Sequence, residues 1–478
     1  MLKQVLFLAH FFSRALLFSQ LNYSSYLNDP GKPMRDHNLD FEKMTLRVGF
    51  EPDSGKVLGH ITHEFKCLRE KTDSFFLDGP GIYITKAVLD NKEVKYRRDE
   101  NGITFYPEKS MKYNQKGNLQ IHYYAYPKKG IYFIGWNDPK GISRKQIWTQ
   151  GQGVDNRHWF PCYDMPNDKT ITELFIEFDA EYQVLSNGKL VSEVTNRNGK
   201  KIWNYKMSKP HATYLVMIGI GKYDIIETKS KSGVALKQWI YPDWKDKYNT
   251  TYAYNEKIFN FLESEIGVPF PWESYSQIPV QDFMFGAMEN TSATLFGDFF
   301  ITDDRGFNDR NYVSVNAHEL AHQWFGDYVT ARSFASHWLQ ESFATHYNLI
   351  AERECFGQEH FDWQRRNAYN AAINTKDKKP IAHSQTPTSI IYQKGSVVLE
   401  MLKYITGRDA YNRAVKRYLL AHPYQNVDSD DLQNAFEDET GMDLTWFWNE
   451  WVYKGGEPSY QVEFNVVLDQ GIKSSLFI

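Results

Sequence analysis

The sequence predicts a multidomain α+β protein, an N-terminal all-β, sandwich-like domain followed by a mainly α-helical one, on three observations. Between Leu46 and about Tyr223 the chain turns at Gly, Asn, Asp or Pro every 8 to 12 residues, and short alternating runs (57–65, 174–178, 214–218) lie between the turns. That is the period of strands with one buried face. From about Val234 the apolar residues recur at helical spacing instead. The length of 478 residues exceeds what one core ordinarily organises, so two or three domains are expected.

Composition removes several function classes. Lys and Arg total 55 against 59 Asp and Glu, and the resulting net charge of −4 exerts no general pull on nucleic acid or anionic lipid. No nucleic-acid partner is expected. Aromatic residues make up 16% of the chain, which excludes a disordered one. Cys67, Cys162 and Cys355 lie far apart with no C-x-x-C pair, the usage of buried free thiols and not of a disulfide framework or a thiolate zinc site.

Residues 1–20 carry Lys3, then the apolar runs 5–12 and 15–18, and resemble a secretory signal interrupted by His10 and Arg14. Export to the periplasm or medium is the expectation, with a cytoplasmic location as the alternative. The stretch is too short and interrupted to span a membrane, and no later one reaches 18 apolar residues. The β domain is placed at 40–232, with hairpin turns at Asn101-Gly102 and Asn187-Gly188. Within it Thr149–Asp164 breaks the alternation, and Gly151 and Gly153 flank Gln152, so the backbone there can approach another segment closely.

The helical domain is placed at 233–455. Ile258, Phe259, Leu262 and Ile266 keep helical spacing up to Gly267. A strand over 275–285 then delivers Gly286, Ala287, Met288, Glu289 and Asn290 in extended form. The Glu289 carboxylate can pair with a protonated α-amino group, and the small Gly286 and Ala287 leave main-chain groups open to an extended peptide.

Then comes His318-Glu319-Leu320-Ala321-His322, H-E-x-x-H. A four-residue step on a helix returns to within about 40° of its starting direction, so the two imidazoles share a face and can grip one Zn²⁺. Glu319 beside them can reach a water and not the metal, which suits a general base. A catalytic zinc takes a third protein ligand, and Glu341, with 18 residues between it and His322, opens a second helix with Ser336 as a candidate N-cap. His337 and His346 flank Glu341, but neither keeps a four-residue step from His322, so both are expected to be non-ligands. Thr345 and Asn348 lie on Glu341's side of the helix, where orienting partners would sit. A solvated loop at 376–380 precedes Tyr392-Gln-Lys-Gly395 and a helix over 396–404.

The order G-A-M-E-N, H-E-x-x-H, Y-Q-K-G resembles the zinc aminopeptidase family that includes aminopeptidase N and leukotriene hydrolase, from about Leu46 to Tyr460. The resemblance implies a thermolysin-like catalytic domain and one Zn²⁺ per chain on His318, His322 and Glu341. It implies further that Glu319 acts as base, that Tyr392 stabilises an oxyanion, and that Gln152 and residues 286–290 bind a peptide with a free N-terminus. Arg157, Pro161 and Asp164 match the surrounding scaffold. Two departures are Gln340-Glu341-Ser342 where the family usually has Asn-Glu-Gly, and Gln393 where it has Glu. Relatives generally continue into a β-sandwich, so 456–478 reads as the truncated start of a third β domain. The expected activity is removal of N-terminal residues from peptides; epoxide hydrolysis on the same site and a non-catalytic zinc-binding scaffold stand as alternatives. Oligomeric state is not legible.

Overall fold

The computed structural model describes residues 29–31, 34–36, 38–458, 464–469 and 472–477. The signal-like stretch 1–20 lies outside them, as does part of 456–478. Of that last segment, Phe464–Asp469 and Ile472–Phe477 form an antiparallel pair.

The N-terminal domain is built on a nine-stranded sheet. Leu39–Glu51 runs antiparallel to Lys56–Cys67 on one side and parallel to Lys169–Asp179 on the other. Along the first strand Met44, Leu46, Val48 and Phe50 are buried in strict alternation. Leu39 and Phe41 fall out of step with them because a bulge between Phe41 and Lys43 turns the following side chains over. A three-stranded sheet (Phe75–Asp78, Gly102–Tyr106, Lys95–Arg98) and a four-stranded one (Gln183–Ser186, Ile218–Gly221, Gln146–Thr149, Ile131–Ile134) close over the same core.

Of the two expected hairpins, Asn101-Gly102 does join paired neighbours, Lys95–Arg98 and Gly102–Tyr106. Asn187-Gly188 does not. It carries the chain from Gln183–Ser186 in one sheet to Lys189–Thr195 in another. Asn187 is fully buried there; its amide donates to the carbonyls of Leu215 and Thr291 at 2.8 and 2.9 Å and accepts from the Met217 N–H at 2.7 Å. An Asn-Gly pair suits any bend needing a left-handed glycine, and Gly188 has φ 80°.

The second domain opens with a sheet and not with helices. Asp224–Lys229 and Ala235–Ile240 pair with each other and continue through Ser274–Val280, Ala293–Gly297 and Ala287–Met288. The sheet therefore starts before the expected boundary at 232, and the helical reading from Val234 is corrected to strand. The parallel partner of Ala235–Ile240 lies beyond an intervening helix, a pairing that local periodicity does not reveal. That helix, Asn255–Ile266, buries Ile258, Phe259, Leu262 and Ile266 as expected and ends at Gly267, φ 72°. Helices Val313–His322, Trp338–Phe356, Gln358–Asn374, Gly395–Thr406, Arg408–Ala421 and Ser429–Thr440 follow and share a second core. No helix among the described residues is long and apolar enough to cross a membrane.

Buried polar contacts tie the two domains. The His211 ring lies between the Thr172 hydroxyl at 2.8 Å and the Thr291 hydroxyl at 3.2 Å. The Lys169 ammonium donates to the carbonyls of Asp327 and Tyr328 at 2.9 and 3.0 Å. The N-terminal segment crosses between them: Asp29 accepts from the Ser384 N–H at 2.7 Å, and Arg35 meets both oxygens of Asp78 at 2.7 Å.

His63, on Lys56–Cys67, is buried with Nε2 donating to the Pro161 carbonyl at 2.9 Å, and burial, only partly offset by that bond, brings its pKa down to about 4. In the unfolded chain it takes a proton near pH 6.5, so the fold loses stability as pH falls from 6.5 to about 4 and the loss levels off below. His63→Gln keeps a donor that cannot be protonated. Its unfolding free energy, measured by denaturant titration across that window, is expected to fall less than that of wild type by roughly 3 kcal/mol.

Candidate active site

Helix Val313–His322 packs Val313, Ala317, Leu320 and Ala321 into the second core, which leaves His318 and His322 one turn apart on the opposite face. Their Nε2 atoms face each other at 3.0 Å. His322 Nδ1–H donates to the Phe325 carbonyl at 2.9 Å, which fixes the ring with Nε2 turned into the site. That carbonyl is in reach because the chain folds sharply back after the helix. Gly326 has φ 142°, and a Cβ on it would lie 3.2 Å from His322 Nδ1.

Glu341 lies one turn into helix Trp338–Phe356. Ser336 does not cap that helix. It belongs to the single 3-10 turn Phe334–Ser336 that leads into it, and no side chain caps the start. The ligand is placed by its neighbours instead. Gln340 accepts from the Ala331 N–H and donates to the Tyr214 hydroxyl, both at 2.9 Å, and Ser342 donates to the Ile391 carbonyl at 2.6 Å. The two departures Gln340 and Ser342 are thus buried anchors on either side of Glu341.

Glu341 Oε2 stands 3.4 Å from His318 Nε2 and 3.2 Å from His322 Nε2. His318, His322 and Glu341 bring one ligand atom each to within 4.8 Å of one another, a set that can hold a metal ion. The donor chemistry fits: two imidazole nitrogens and a carboxylate are a zinc set, and Glu341 Oε2 is buried without a hydrogen-bond partner. His346 sits elsewhere, 3.8 Å from Glu400. Asn348 does not orient Glu341; its amide donates to Ser314 and Glu352. His337, which its spacing from His322 sets aside as a ligand, stands beside Glu341 instead. His337 Nε2 lies 3.1 Å from Glu341 Oε1. The signal was there, since His337 stands four residues before Glu341, but the step had been counted only from His322.

Tyr392 rides on a π-helical turn, Ile390–Lys394, ahead of helix Gly395–Thr406. Its ring lies parallel to that of His318 with centroids 5.6 Å apart. On the other side Ala287–Met288 forms an edge strand, so alternate side chains face opposite ways. Gly286, Ala287 and Glu289 line a cavity of about 340 Å³ together with Gln152, His318, Glu319, His322, Glu341 and Tyr392. Met288 and Asn290 do not. Both are fully buried, and Met288 Sδ accepts from the Gln150 amide. Gln152 is also nearer the metal set than expected, its amide nitrogen 3.4 Å from Glu341 Oε1.

Burial sets opposite charge states in this cavity. Glu341 is pushed up by burial, but the charge of His322 and the close approach of the His318 and His337 imidazoles outweigh that and hold it well below the carboxylate range. Glu319 and Glu289 have no such donors; burial raises both, and the neighbouring carboxylates add to it against the pull of His322. Burial lowers His322, yet Glu289 and Glu341 bring it well above the usual imidazole value. The Tyr392 phenol is raised by burial and then by Glu341, so it stays a donor. Three carboxyl groups of unequal proton affinity and a phenol O–H thus surround one small cavity.

Residues 36–215 match the family model of the peptidase M1 N-terminal domain, and residues 250–451 that of the peptidase family M1 domain. A leucyl aminopeptidase of Saccharolobus solfataricus is 29% identical over 443 residues, 89% of this chain and 54% of that protein. The tricorn protease-interacting factor F2 of Thermoplasma volcanium is 30% identical over 66% of this chain and 42% of its own length. Aminopeptidase M1 of Arabidopsis thaliana is 27% identical over 69% of this chain and 39% of its own. The chain spans about half the length of these relatives or less. Because the two models fall on the β domain and the helical domain in the order the fold has them, the chain belongs to peptidase family M1, the family of aminopeptidase N.

Proposed function

We propose that this chain is a zinc-dependent aminopeptidase that releases N-terminal residues from peptides. The observation that carries the reading is that Glu289, its buried Oε1 without a hydrogen-bond partner, lines the same cavity as His318, His322 and Glu341. A carboxylate at that place binds an ammonium group and ends the substrate one residue from the metal ligands, which favours an exopeptidase over an endopeptidase. Gln152, on the same wall, can accept from that ammonium through its carbonyl oxygen.

His318, His322 and Glu341 would hold one Zn²⁺, which when bound polarises a carbonyl and acidifies water. Glu319 accepts the proton of the attacking water and returns it to the leaving amine; its raised proton affinity suits both halves of that task. The Tyr392 hydroxyl donates to the oxyanion that develops on the scissile carbonyl. Gly286 and Ala287, on the edge strand, offer main-chain groups to the extended peptide.

The direct test is amino-acid release by the purified 478-residue chain from matched free and N-acetylated peptides, with and without a chelator. Cleavage is expected only at free N-termini, lost on chelation and restored by Zn²⁺; cleavage of blocked peptides, or cleavage indifferent to chelation, overturns the reading. Glu319→Gln is expected to keep its zinc and lose roughly 100- to 10,000-fold in kcat; near-wild-type turnover removes Glu319 as the base. Glu289→Ala is expected to lower kcat/KM on free peptides by roughly 10- to 100-fold, and an equal fall on blocked ones would argue against its pairing with the amino group.

A further inference from the structure

We infer that His337 is a positioning residue for the metal site, holding Glu341 so that only its Oε2 is presented to the ion. The inference rests on the reading of the triad as a zinc site. A glutamate ligand has two oxygens and three rotatable bonds, and nothing in its covalent structure says which oxygen meets the metal. Here the two are told apart by what surrounds them. Oε2 faces the imidazole nitrogens of His318 and His322 and has no hydrogen-bond partner. Oε1 faces away, with His337 Nε2 at 3.1 Å and the Gln152 amide at 3.4 Å.

Of those two nitrogens His337 Nε2 is the nearer. Being four residues before Glu341, it lies over the same helix face, and the pair needs no rearrangement of the chain to meet. Its own backbone is already in the helical region at φ −58°, ψ −25°, next to the turn Phe334–Ser336, so the ring starts from a fixed base. Gln152 reaches Oε1 from the other domain at a distance where a hydrogen bond is weak. If His337 holds Oε1, the Gln152 amide is released to turn toward a substrate without cost to the metal site.

His337 also lines a chamber of about 220 Å³ whose walls include Phe334, Tyr214, Gln340 and Ser384. A side chain there that cannot donate would leave Oε1 to Gln152 and to water from the chamber. Water restores a donor but not a fixed one, so the expected loss is partial.

The test measures zinc affinity and not turnover. Wild type, His337→Leu and His337→Gln of the full chain are titrated with Zn²⁺ against a competing chromophoric chelator, and the thermal unfolding of each metal-free protein is recorded alongside. Leu approximates the volume without a donor; Gln carries an amide N–H at about the reach of Nε2. The expected result is a Zn²⁺ Kd raised about 10- to 100-fold in His337→Leu, recovered for the most part in His337→Gln, with the metal-free proteins melting alike. Equal affinity in wild type and His337→Leu overturns the inference, as does a Gln variant as weak as the Leu variant. A wild type that binds no zinc overturns both this inference and the zinc reading beneath it.

Discussion

The structure turns on the crowding of carboxylates in one buried place. Glu289, Glu319 and Glu341 line a single cavity with two imidazoles between them. Burying one ionised carboxylate is costly, and burying three near one another is tenable only with compensating charge and donors. The molecule supplies these unevenly. Glu341 stands among three imidazoles, which hold it below the usual carboxylate range, while burial raises Glu289 and Glu319. That inequality matches the proposed division into a ligand, a base and an anchor, although the three side chains are chemically the same.

Such a site cannot be built on one element. The imidazoles come from one helix, Glu341 from a second, Tyr392 from a π-helical turn, Glu289 from an edge strand and Gln152 from the other domain. Their mutual placement depends on contacts that themselves do no chemistry. Ser342, next to the ligand, holds the carbonyl of Ile391, next to Tyr392. The Ser342 side chain comes so close there that a Cβ on Gly395 would lie 1.8 Å from its hydroxyl. Gln323, after the imidazole helix, donates to the Glu289 carbonyl at 2.9 Å and accepts from the Ser292 N–H at 2.8 Å, which locks the edge strand to the metal helix. The Asn187 and His211 bonds to Thr291 bring the β domain against the same strand. The β domain is therefore part of the site's frame and more than an appendage to it.

Much of this was legible in the residues. Alternation located most strands of the first domain; it failed over 214–218, which opens on the 3-10 turn Thr213–Leu215 and becomes strand only at Ile218. The helix ending at Gly267 and the four-residue step of the histidines are local properties, written in a few consecutive residues. What was misread depended on distant partners. Asn187-Gly188 has the composition of a hairpin turn, but the strands it joins pair elsewhere. Ala235–Ile240 pairs with the preceding Asp224–Lys229 and is held on its other side by Ser274–Val280, which lies past a helix. His337 was passed over because its partner is a ligand's second oxygen, and a motif names residues, not oxygens.

The sequence by itself determined which residues could do chemistry: periodicity and spacing are covalent facts, and a helix or a strand converts them into faces without further help. Tertiary structure alone decided how those residues divide the work. Only packing could turn Met288 and Asn290 into the core while Glu289 met the cavity, and only it could give Glu341 its imidazole donors and deny them to Glu319. Charge state and hydrogen bonding depend on what stands within a few ångströms, and in this chain those neighbours come from segments far apart in sequence.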